Sequence, residues 1–181
     1  MSDQVQGFSF ISRLLHWVMA VLIVAMLFIG IGMVSTVSGR YTTLLTLHRP
    51  IGIAIFLLAV LRVINRLTHR PPPLPASLSA PQRIAAHASH LLLYALMIAM
   101  PLMGWGMQSA GAFPIVLWGA TELPPILPHD PQLYAFLRQL HTVGAFALFL
   151  VLLLHFAAAL FHGLIRRDGV LSSMTTSKNS T

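Results

Sequence analysis

Between Gln139 and Phe161 the chain reads QLHTVGAFALFLVLLLHFAAALF, an apolar run without a single Asp, Glu, Lys or Arg. A helix of that length crosses a hydrocarbon core of ~30 Å, and in lipid a helix satisfies its own backbone hydrogen bonds. The run carries two histidines, His141 and His155, fourteen residues apart. At ~100° and ~1.5 Å per residue, the second imidazole returns to within about 40° of the first and stands ~21 Å further along the axis. Ionisable groups inside a span are costly and mark function by default, so this stripe predicts two buried sites stacked across a membrane.

Three further runs have the same character. The first, from Leu14 to Val37, is too long for the core of a signal peptide and is read as a retained span. The second closes with Arg62, Asn65 and Arg66, with Pro50 in its first turn or at a bend; the third contains Pro101, which predicts a kink. Of the 181 residues 56% are hydrophobic and 8% charged, whereas soluble domains carry about 25% charge. The expected fold is therefore all-α: an integral membrane four-helix bundle with up-down connectivity. A single domain over residues 1–171 has spans at about 14–37, 44–66, 85–109 and 138–165. RPPPLPASLSAPQR, between Arg70 and Arg83, reads as a stiff exposed connection, residues 111–137 as a proline-rich loop, and 172–181 as a disordered tail.

Of the eleven basic residues, Arg13, Arg62, Arg66, Arg70, Arg83, Arg166, Arg167 and Lys178 fall on one side, against Arg40, Arg49 and Arg138 on the other. By the positive-inside rule both termini and the proline-rich connection are cytoplasmic. Basic residues scattered at span ends do not form a nucleic-acid patch, so the expected partners are lipid and membrane-soluble molecules. With no cysteine, thiolate metal sites and disulfides are excluded.

Nine histidines are many for so apolar a chain. His48 opens the second span and His141 the fourth, both on the outer side, while His16 and His155 lie towards the inner side. Depth thus makes two pairs, His16 with His155 and His48 with His141, each joining two helices. Two imidazoles closing on a flat macrocycle suit haem iron better than a tetrahedral zinc site, which wants three or four donors. No C-x-x-C-H sequence is present, so the expected cofactors are two non-covalent b haems. Gly52 and Gly144 bare the helix surface where a ring would lie. Arg62, fourteen residues after His48, either pairs a haem propionate or snorkels from the helix end. His162 continues the stripe seven residues past His155, where it either serves a quinone or is an interfacial helix end. His87 and His90 open the third span in interfacial or supporting roles, and no role is expected of the loop residues His69 and His129. Trp17, Trp105 and Trp118 read as an aromatic belt.

These residues resemble the bacterial cytochrome b561 family. The resemblance rests on His16-Trp17, on His48 with Gly52 and Arg62, and on HLLLYALMIAMPLMGW in the third span. It rests also on His155-Phe-Ala-Ala-Ala-Leu-Phe-His162, with RRDGVL where the family has a Lys-Asp-Asn-Thr-Leu-like ending. It implies two haem b groups on His16/His155 and His48/His141, in a multi-pass protein of the bacterial inner membrane. In size the chain is similar to the superoxide oxidases of that family, which implies an oxidoreductase passing electrons from superoxide outside to ubiquinone. Arg40, Arg49 and Arg138 would then form a basic mouth for the anion. The family also holds b-type anchor subunits of hydrogenases and dehydrogenases, which need a partner subunit. A proton or metal-ion transporter with a histidine relay is the alternative of another class.

Overall fold

A computed structural model describes residues 7–69, 71–117, 119 and 121–175. Four long helices carry the fold: α1 (Phe10–Val34), α2 (Gly39–Thr68), α3 (Ala80–Ala110) and α4 (Pro131–Leu160). α4 runs on into a π-helical turn, Phe161–Arg166, and a short helix α5 (Ser172–Thr175) follows. Each long helix starts where the sequence supplies a partner for its orphan N–H groups. Ser9 accepts from the Ser12 amide at 3.3 Å and Ser38 from Arg40 at 3.3 Å. The Gln82 side chain accepts from the Ser79 amide at 3.0 Å, and Asp130 accepts from Gln132 and Leu133 at 2.8 and 3.1 Å. All four helices are long and apolar enough to cross a membrane.

The caps explain where the spans depart from the sequence reading. They start α2 at Gly39 and α4 at Pro131, so His48 and His141 lie well inside their helices rather than opening them. α2 and α3 run continuously through Pro50 and Pro101. Two further corrections concern the connections. The loop expected after α3 contains an antiparallel hairpin, β1 (Ile115–Leu117) paired with β2 (Thr121–Leu123), whose Ile115 and Leu117 are buried. The tail expected to be disordered starts as helix α5 instead, because its carbonyls have donors: the Phe8 amide reaches Ser173 O at 3.1 Å and Trp17 Nε1 reaches Met174 O at 3.0 Å. Residues 176–181 lie outside the described residues, as do Arg70 and Trp118. In the proline-rich connection Leu78 is buried, and its carbonyl accepts from Arg83 Nε at 3.0 Å.

Connectivity is up-down, which brings the start of α1, the short helix α5 and the proline-rich connection to one end of the bundle (the terminal end) and the hairpin to the other. Close backbone contact joins α1 to α2, α2 to α3 and α3 to α4, while no comparable contact joins α4 to α1 or α2 among the described residues. Side chains fill the middle of that separation. Met19 and Ile23, Ile55 and Ala59, Leu93 and Met97, and Leu148 and Val151 form one buried cluster drawn from all four helices. On α4 this plug lies between His141 and His155, and on α2 between His48 and Arg62. Large side chains such as Phe28, Leu91 and Phe146 point outward, about 70% exposed, as lipid-facing positions must.

Candidate functional site

The histidine pairs expected from depth meet in the structure. At the terminal end the His16 ring on α1 lies 6.2 Å from that of His155 on α4, with the planes at 71°. At the hairpin end His48 on α2 lies 6.1 Å from His141 on α4, with the planes at 66°. Two imidazoles ligating one metal from opposite sides, each nitrogen ~2 Å from the ion, have ring centres ~6 Å apart. Both gaps therefore leave room for a pair of imidazoles to hold one metal ion between them. The donor chemistry agrees: Nδ1 of His16 and of His48 is buried without a hydrogen-bond partner, and a neutral imidazole nitrogen is a good metal donor. Among the described residues no His, Cys, Asp or Glu gathers in threes as a tetrahedral site would need.

The helices hold these rings in different ways. A Cβ on Gly104 of α3 would lie 3.4 Å from His141 Cε1, so that glycine lets α3 support the imidazole closely. Gly144 serves the same helix pair, since its missing Cβ makes room for Met100 and Met103. Gly52 looks towards Met26 of α1, whose Cε would meet a Cβ there at 3.7 Å, an ordinary packing contact. The structure thus turns both glycines expected to bare a ring surface towards neighbouring helices.

Arg62 sits at the depth the sequence predicted, on a cavity of about 260 Å³ at the terminal end. Its Nε donates to Tyr94 Oη at 3.0 Å, and Arg62 and Arg66 lie over the Tyr94 ring at 5.6 and 5.9 Å. Ser12, Asn65 and His90 share the lining. His90 lies 5.5 Å from His155, closer than a helix opening suggested. Its signal was available in the spacing His90–Tyr94, one turn apart on a single face of α3.

His162 lies on the π-helical turn, and its Nδ1 meets Asp168 Oδ2 at 2.6 Å. Nothing in the spacing of RRDGVL pointed to that partner. At the hairpin end Arg49 is held by neutral acceptors, which fix its position and leave its positive charge in place. It donates to Pro114 O at 3.2 Å and to Gln108 Oε1, tying α2 to α3 and the hairpin, while Arg40 and Arg138 stay exposed. His87 is exposed, and His69 makes only a local contact with Thr68 Oγ1 at 2.9 Å. His129, for which no role was expected, donates Nδ1–H to the Ala110 carbonyl at 3.0 Å and ties the end of α3 to the approach to α4.

Comparison with known proteins gives this geometry a context. The family model described as prokaryotic cytochrome b561 matches residues 7–177. Cytochrome b561 homolog 2 of Escherichia coli (strain K12) is 33% identical over 178 residues, 97% of this chain and 94% of that protein. Cytochrome b561 homolog 1 of the same strain is 26% identical over 163 residues, 88% and 92% of the two chains. A probable superoxide oxidase CybB of Yersinia pestis is 29% identical over 136 residues, 73% and 74% of the two.

Proposed function

Because the chain belongs to the prokaryotic cytochrome b561 family, a b-type electron carrier of the bacterial inner membrane, we propose that it takes electrons from superoxide outside and delivers them to ubiquinone within. The observation that carries this reading is the pair of imidazole gaps, 6.2 and 6.1 Å, at opposite ends of one bundle. Two haem b groups, held by His16 with His155 and by His48 with His141, would supply one-electron redox chemistry at each end.

The chain's own residues do the rest. The four histidines would hold and orient the iron, with α4 contributing one histidine to each pair. The plug around Met19, Ala59, Met97 and Val151 keeps water from the space between the two ends. Arg62 and Arg66, with no carboxylate paired to them among the described residues, supply positive charge where propionates would be held. His162, beyond the terminal-end pair, meets the quinone and supplies protons. The reaction balances as two superoxide ions oxidised to two O2 while one quinone takes two electrons and two protons to become quinol. The likeness to a probable superoxide oxidase supports the choice of donor.

The test is superoxide-driven reduction of ubiquinone by the purified, haem-loaded protein. The expected outcome is quinol formation well above a haem-free control. No such reduction, together with co-purification of a soluble subunit, would instead favour an anchor of a dehydrogenase complex.

A further inference from the structure

The proposed quinone residue has a partner that its own helix does not supply. In a regular α-helix, positions six apart lie on different faces, ~120° apart around the axis and ~9 Å apart along it. Here the π-helical turn and the left-handed backbone of Arg167 (φ 52°) fold the chain back, so that Asp168 lies against His162. Single π turns of this kind are frequent at functional sites. The carboxylate is itself held. Its Oδ1 accepts from the Val170 amide at 3.3 Å and its Oδ2 faces Arg166 Nε at 3.5 Å. Arg166 in turn reaches Gln82 Oε1 at 3.3 Å and Ser77 O at 3.4 Å, anchoring the cluster to the proline-rich connection and α3. Among the described residues, the charged groups facing His162 are Asp168 and, behind it, Arg166.

An ionised carboxylate only accepts hydrogen bonds, so the 2.6 Å contact puts a proton on Nδ1 of His162 and leaves Nε2 as the nitrogen that meets a substrate. We propose that Asp168 is a positioning residue for quinone protonation: it holds the His162 ring in one tautomer and one orientation and balances its charge while both nitrogens carry protons. The inference rests on the proposed reduction of quinone. In the step itself the Nε2–H bond breaks and an O–H bond forms at a quinone oxygen. The imidazole is left neutral with its Nδ1 proton in place, and water at the terminal end restores the lost proton before the second transfer. The electrons are those of the proposed reaction, and Asp168 remains a carboxylate throughout.

The experiment is single-turnover oxidation of the dithionite-reduced, haem-loaded protein by a short-chain ubiquinone, followed by absorbance in H2O and in D2O. Asp168→Asn should lower the maximal rate about 10–100-fold, the range for partners that orient a working histidine. The half-saturating quinone concentration should hold, the solvent isotope effect should rise, and Asp168→Glu should recover most of the rate. Wild-type rate and isotope effect in Asp168→Asn would overturn the inference while leaving the quinone reading intact. A wild-type rate in His162→Gln would overturn the quinone site itself. If Asp168→Asn lost its haem, the isotope effect of Asp168→Glu decides: a rise with a partly reduced rate supports the positioning role, and no change in either overturns it.

Discussion

A bis-histidine arrangement makes a sharp demand of single residues, because each ring closes one side of one site. His141 and His155 share α4 but face different partners, so their losses are separable. His141→Ala and His155→Ala are each expected to lower the haem content by one per chain, measured as haemochrome absorbance per mole of protein; two haems retained in both variants would refute the pairing. His141 and His155 were legible because fourteen-residue spacing on a helix fixes a shared face and two depths, and His16 and His48 because their places in the first and second spans match those depths. Asp168 was not, because a π turn followed by a left-handed residue breaks the periodicity that sequence reasoning relies on. The partners of Arg49 were hidden too, because the carbonyl that reaches it at 3.2 Å belongs to Pro114, 65 residues along the chain.

At the scale of the elements, α3 and α4 are the closest-built pair around the hairpin-end site. In lipid no solvent drives helices together, so close approach depends on small residues and dispersion contacts. A Cβ on Gly144 would stand 2.5 Å from Met100 Sδ, and Met100 is only 8% exposed. Gly144→Leu should therefore destabilise the protein by about 1–3 kcal/mol, the usual cost of overpacking. Thermal loss of the haem absorbance band would report it, with the hairpin-end site failing first since His141 is one turn away. Gly30→Leu is the control: nothing lies within 4 Å of a Cβ there, and the melting temperature should stay close to that of the wild type. The elements themselves were legible from apolar run length. Their starts were not, because Ser38 and Asp130 begin α2 and α4 well before the apolar residues do.

For the whole molecule, the basic residues imply that the terminal end faces the cytoplasm, and the absence of cysteine makes this easy to test. Glu122→Cys, in the exposed part of β2, should react with an impermeant maleimide added to intact spheroplasts. Ala76→Cys, in the proline-rich connection, should react only after lysis; the reverse pattern would invert the orientation and with it the sides assigned to donor and quinone. By itself the sequence determined the membrane class, four spans, and two histidine pairs stacked by depth, because hydropathy and helical periodicity are local properties that lipid enforces. Only the tertiary structure decided what surrounds those pairs: the plug between the two ends, Gly104 behind His141, His90 and Tyr94 beside the inner site, and Asp168 on His162. Each of these is a meeting of side chains from different elements, or across a broken helical turn, where spacing along the chain carries no information about distance in space.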